Sequence, residues 1–204
     1  ELGHPMGYLM GKKEFYGSVF TISREVLIPR PETELLVETA LANLPLEEPS
    51  RLLDLGTGCG VIAISLLLNH RQIVVDAIDI SEEALKVARQ NADDLLSDLT
   101  RIEFFRSNWL ADVSNEVKYN MIVANPPYVG DRDVHLTKGD VRFEPSVALV
   151  GGSDGLFHIR QIVSNALSYL SKGGWLILEH GYNQGGTVQD LLQFNGYQNI
   201  TQIK

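Results

Sequence analysis

The stretch LLDLGTGCGVIAI, Leu52 to Ile64, decides how the rest of the chain is read. It opens as an apolar strand that carries Asp54. Gly56, Gly58 and Gly60 then interrupt it, and an apolar helical run follows. Glycine tolerates positive φ and lets a ligand approach the backbone. The spacing is G-x-G-x-G, not the G-x-G-x-x-G of dinucleotide binders. Asp79 follows at the end of the next strand, in VDAIDIS. An acid at that place accepts hydrogen bonds from ribose hydroxyls. A merely tight strand-to-helix connection would explain the glycines but not the acid. Strand, glycine turn and downstream acid together point to a nucleoside ligand.

Outward from this turn the pattern alternates. Strand RLLDL precedes the turn and helix VIAISLLLN follows it. Strand IVVDAIDI leads to helix SEEALKVARQNADDL, with Ser81 as N-cap and Glu82 and Glu83 in the first turn. Strands RIEFFRS and YNMIVAN come next. Tyr128 to Ser153 has no clear period. A helix over GLFHIRQIVSNALSYL is expected to end at Lys172-Gly173-Gly174. Strand WLILEHG, helix TVQDLLQFN and strand-like YQNITQI follow. Alternating strands and helices predict an α/β fold with a doubly wound, mostly parallel sheet, and ligands outside the carboxyl ends of its strands. Upstream, EFYGSVFTIS reads as a hairpin. Pro31 with Glu32 and Glu34 starts an amphipathic helix, and Pro45 and Pro49 mark a boundary. The expected division is a small N-terminal hairpin and helix over 1–45 and a main domain over 46–204.

The totals exclude several classes. The chain has 204 residues, 44% of them hydrophobic and 21% charged, as in ordinary globular proteins. A net charge of -9 gives no electrostatic footprint for a nucleic-acid backbone. The single Cys59 fits a reducing compartment. No apolar run has membrane-spanning length, so no membrane partner is expected. His4, His70, His135, His158 and His180 show no metal spacing, and no metal is expected. His180 reads as structural.

The glycine turn with its downstream acid resembles the class I S-adenosylmethionine-dependent methyltransferases. The resemblance implies that Gly56, Thr57, Gly58, Cys59 and Gly60 run under the methionine part of the cofactor and that Asp79 holds its ribose. Ser107-Asn108-Trp109 would then border the adenine, with Trp109 against the ring and the Asn108 oxygen accepting from the exocyclic amine. Cys59 reads as a small filler, with no base to make it a nucleophile.

A second stretch, MIVANPPYVG, ends an uncharged strand on Asn125, Pro126, Pro127 and Tyr128. Two prolines give no amide hydrogens to a sheet. The tetrapeptide resembles the motif of methyltransferases that modify a planar NH2 group. The residue types suit that chemistry. An amide or exocyclic amine is a poor nucleophile because its lone pair is delocalised. The Asn125 side-chain oxygen and the Pro126 carbonyl can accept both N–H bonds and favour lone-pair density toward the methyl. The prolines stiffen the turn, and Tyr128 supplies a flat wall. Asn125 would also border the cofactor. Methyl transfer is then in-line displacement, dependent on positioning and electrostatics.

Glutamine amides and the amines of adenine or cytosine share this motif. GYLMGKKEFYG, LIPRPETELLVE, GDVRFEPSVALVGGSDGL and GWLILEHGYNQG resemble the HemK family of protein-(glutamine) methyltransferases over nearly the whole chain. The family implies S-adenosyl-L-methionine as donor, S-adenosyl-L-homocysteine as product, and the glutamine of the Gly-Gly-Gln loop of peptide-chain release factors as acceptor, in the cytoplasm. It also implies a seven-stranded-type sheet, of which the last strand is expected to be missing here together with an N-terminal helical domain. A monomer is expected. Asp131 to Ser153 would shape an entrance for a protein loop, with Glu144 as its structural anchor. The alternatives are an adenine-N6-type DNA or RNA methyltransferase, which predicts a basic face, and a non-catalytic cofactor-binding module, which predicts a broken motif.

Overall fold

The computed structural model describes residues 3–203. Glu1, Leu2 and Lys204, the outer ends of the two expected segments, lie outside the described residues. The order is α1 (Met6–Met10), a hairpin of β1 (Lys12–Phe15) and β2 (Ser18–Thr21), α2 (Thr33–Ala42), β3 (Ser50–Leu55), α3 (Val61–Asn69), β4 (Ile73–Asp79), α4 (Glu82–Leu95), β5 (Ile102–Arg106), β6 (Tyr119–Ala124), α5 (Phe157–Ala166), β7 (Leu170–Leu178) and α6 (Gly185–Phe194). The central sheet runs β5-β4-β3-β6-β7, with every pairing parallel.

Side chains alternate across this sheet, as strand geometry requires. Leu52 points to one face and Leu53 and Leu55 to the other. The first face packs on α2, α3 and α4 and on Phe15 and Phe20 of the hairpin, so the hairpin shares the main core. The second face packs on Ile162 and Ala166 of α5. Strands buried on both faces read as continuous apolar runs, which is how β3, β4 and β6 were legible. Ser81 caps α4 as expected, its Oγ accepting from the Ala84 amide at 3.2 Å.

Two expectations need correction. The α5 helix stops at Ala166, followed by one 3-10 turn to Tyr169, and Lys172-Gly173-Gly174 lies inside β7. Gly173 takes φ 79° and the pairing with β6 shifts register between Tyr119 and Met121. The glycines form a bulge, not a helix stop. The segment YQNITQI forms no strand. Asn199 has φ 55°, which breaks extended backbone. Tyr197 is tethered to the helices instead, its hydroxyl donating to Val163 O at 3.0 Å and its amide to Leu192 O at 3.1 Å. The sheet therefore has five strands among the described residues.

Buried Asn91 on α4 joins three parts of the fold. Its Oδ1 accepts from the Thr21 amide at 2.7 Å, and its Nδ2 donates to Thr21 O at 2.9 Å and to Cys59 O at 2.8 Å. It thus ties the hairpin to the glycine turn. Replacing Asn91 by Ala strands an amide and two carbonyls in the interior. The expected cost is about 2–4 kcal/mol, read as a lower urea midpoint with an unchanged slope.

Candidate active site

β3 and β6 lie side by side, with Leu55 paired to Ala124. The glycine turn and Asn125 therefore leave the sheet as neighbours. Gly56 N and Thr57 N both donate to Ile78 O, at 2.9 and 2.8 Å, which pins the turn to β4. Gly58 N donates to Asp79 Oδ2 at 2.9 Å, and Ser81 N to Asp79 Oδ1 at 2.9 Å. Asp79 thus stitches the two loops together. Burial raises its pKa, opposed by the backbone amides of Ser81 and Gly58.

Behind the turn, Asp54 is wholly buried. Its Oδ2 accepts from Thr57 Oγ1 at 2.7 Å and from Ala63 N at 3.3 Å, while Oδ1 has no partner among the described residues. Burial pushes its pKa up to about 7. The Cys59 thiol is also buried and pushed up to about 12, an inert group.

A cleft of about 1030 Å³ opens over the turn. Gly56, Thr57, Gly58, Cys59, Asp79, Asn108, Trp109, Asn125 and Pro127 all line it. Gly60 does not. It starts α3 at φ 85°, where a Cβ would come within 2.9 Å of Ile64 and 3.3 Å of Ala88. Its absence of side chain serves the packing of α3 on α4. A second cavity of about 540 Å³ is lined by Pro126 and Tyr128. The two share Leu27, Arg30, Asn125 and Ala148. Asn125 stands at their junction.

The Asn125 Nδ2 donates to Thr33 Oγ1 at 3.0 Å. Thr33 Oγ1 donates to Glu179 Oε2 at 2.8 Å, and the Tyr128 hydroxyl donates to Glu179 Oε1 at 2.9 Å. Burial, with Glu179 beside it, holds the Tyr128 phenol protonated far above the usual tyrosine range. The turn is braced from behind by backbone. A Cβ on Gly151 would come within 2.6 Å of Pro127 O, and one on Gly155 would overlap Tyr128 O. Trp109, at φ 51°, donates from Nε1 to His158 Nδ1 at 3.3 Å. Burial lowers the pKa of His158.

Glu144 is buried and accepts from Ile28 N at 3.0 Å and from Arg30 Nη2. It fastens the long loop to the segment that lines both cavities. Among the described residues the His180 ring bonds its neighbour Gly181 O, at 2.9 Å, outside the cleft. Thr33, Glu179 and His158 were missed in the sequence reading. Thr33 carried a signal in the PRPETE segment and Glu179 in its place at a strand's carboxyl end. His158 carried none.

The methyltransferase small domain family model matches residues 31–144. The release factor glutamine methyltransferase of Neisseria gonorrhoeae is 47% identical over 199 residues, spanning 97% of this chain and 71% of its own. This chain belongs to the release factor glutamine methyltransferases. The Escherichia coli K12 member is 41% identical over 198 residues, 97% of this chain and 70% of its own. Solved structures share the fold. A ribosomal protein methylase from Lactobacillus delbrueckii subsp. bulgaricus has a TM-score of 0.62 at 22% identity, over 86% of this chain and 74% of its own. A methyltransferase from Pyrococcus furiosus has a TM-score of 0.62 at 18% identity, over 88% and 78%. The release factor glutamine methyltransferase relatives do not favour the nucleic-acid or binding-only alternatives.

Membership in the release factor glutamine methyltransferases implies S-adenosyl-L-methionine as the methyl donor. The residues present fit that group: a long cleft over the Gly56–Cys59 backbone, with the Asp79 acid and the Trp109 ring in its lining. Among the described residues no group of three or more His, Cys, Asp or Glu could hold a metal ion. No helix described is long and apolar enough to cross a membrane.

The folded protein holds the Asp54 proton more tightly than the unfolded chain does. Its contribution to stability is complete below pH 3.8 and is lost as pH rises through about 7. The expected result is that the unfolding free energy of the parent, minus that of Asp54→Asn, falls across this window and then levels off. Urea titrations without donor at stepped pH check it.

Proposed function

We propose that this chain transfers a methyl group to the side-chain amide nitrogen of the glutamine in the Gly-Gly-Gln motif of peptide-chain release factors. The observation that carries this reading is Asn125, at the junction of two cavities with one of its amide hydrogens donated to Thr33. Its Oδ1 remains as an acceptor.

S-adenosylmethionine supplies an electrophilic sulfonium methyl. The Gly56–Cys59 backbone would carry its methionine part, Asp79 its ribose, and Asn108 and Trp109 its adenine. In the second cavity Asn125 Oδ1 and Pro126 O would accept the two N–H bonds of the glutamine amide. Accepting both N–H bonds would fix the nitrogen, aim the lone pair above the amide plane toward the first cavity, and raise the electron density on the nitrogen. Tyr128, its hydroxyl turned to Glu179, offers a ring face to the planar amide. Pro126 and Pro127 add no donor to compete for the acceptors. The positive charge of the donor disappears in the transfer, and the methylated nitrogen sheds its proton readily. No strong base is needed beside it. Acting on release factors would place the protein in the cytoplasm, and a monomer would suffice where every residue proposed for the site comes from one chain.

The test offers this chain labelled donor with a purified release factor, with the same factor carrying Gln→Ala in its Gly-Gly-Gln motif, and with unmethylated DNA. Label on the first alone is expected. Equal label on the Ala variant, or label on DNA, overturns the reading. Asn125→Ala is expected to lower kcat by at least about 100-fold.

A further inference from the structure

We infer that Glu179 and Thr33 are positioning residues, which together fix the end of the Asn125 amide that faces the acceptor nitrogen. The inference rests on the glutamine-amide reading above. The two ends of an Asn amide are nearly equal in size but opposite in polarity. A half turn of the group would replace the acceptor Oδ1 by two hydrogens. Those hydrogens would confront the N–H bonds of the substrate.

The chain of bonds behind Asn125 decides between the two settings. The Glu179 carboxylate offers only acceptors. Tyr128 O–H occupies Oε1 at 2.9 Å and Thr33 O–H occupies Oε2 at 2.8 Å. A threonine hydroxyl has one hydrogen, and here it is spent on Glu179. Toward Asn125 the hydroxyl can therefore only accept, and at 3.0 Å it faces Nδ2. Oδ1 is left for the cavity. The carboxylate is itself on a rigid mount. Glu179 N donates to Ala124 O at 2.9 Å, one residue before Asn125. Thr33 opens α2 and its side chain is buried, at 3% exposure. One carboxylate thus sets both walls of the acceptor site, Tyr128 directly and Asn125 through Thr33.

Substitutions separate polarity from packing. Glu179→Gln brings hydrogens of its own. Donation from that amide to Thr33 would turn the Thr33 hydrogen toward Asn125 and favour the flipped setting. Thr33→Val removes the hydroxyl at nearly constant shape, and Thr33→Ser keeps it. With release factor as acceptor, Glu179→Gln and Thr33→Val are expected to lose about 10–100-fold in kcat. Thr33→Ser is expected to stay within about threefold of the parent, and KM for the factor and Kd for the donor to move less than about threefold in all three. A second readout needs no turnover. Hydrogen exchange of the Asn125 side-chain amide, followed by 15N NMR, is expected to be slow in the parent and in Thr33→Ser, and fast in Thr33→Val.

Parental kcat in Thr33→Val, equal losses in Thr33→Ser and Thr33→Val, or unchanged exchange would overturn the inference. A parent chain that labels no release factor would instead sink the proposed function. The exchange measurement would still decide whether the relay exists.

Discussion

The parallel pairing of β3 with β6 is the constraint on which the cleft depends. Chain order runs outward from β3 to β4 and β5 on one side and to β6 and β7 on the other. The connections diverge at that seam, and a crevice opens outside the strand ends. Leu55 opposite Ala124 then sets the glycine turn beside the Asn-Pro-Pro-Tyr turn. The two cavities are adjacent because two strands are in register. A slip of one residue would turn every side chain of β6 to the wrong face.

Around that seam polar side chains do the fastening. Asp79 joins the glycine turn to the start of α4 through backbone amides. Asn91 joins the same turn to the hairpin. Glu144 fastens the long loop to Ile28 and Arg30. Each has at least one partner 21 or more residues away in sequence. Leaving one such partner bare in the interior costs about 1–3 kcal/mol, so the cleft keeps one shape.

The sheet was legible because strands buried on both sides must be apolar and continuous, and because Gly56, Gly58 and the acid at Asp79 form a local pattern. Local chemistry also exposed Asn125 to Tyr128. The partners of these residues were not legible. Thr33 lies 92 residues from Asn125 and Glu179 lies 146 from Thr33, and no period or spacing links them. Gly60 misled in the opposite direction, since a glycine required by helix packing looks in sequence like one required by a ligand. The bulge at Gly173 and the bend at Asn199 were hidden for a similar reason: their backbone angles answer to tertiary neighbours.

Gly151 and Gly155 press bare backbone against the carbonyls of Pro127 and Tyr128. Their role is to leave space, and nothing can do that better than a hydrogen atom. The Asn-Pro-Pro-Tyr turn therefore has a close rear wall of backbone. A side chain at either glycine would push the turn into the cavity, and the only remedy would be to redraw the turn itself. Over the history of such a sequence these two segments are bound to change as a pair, even though only one of them borders both cavities through Asn125.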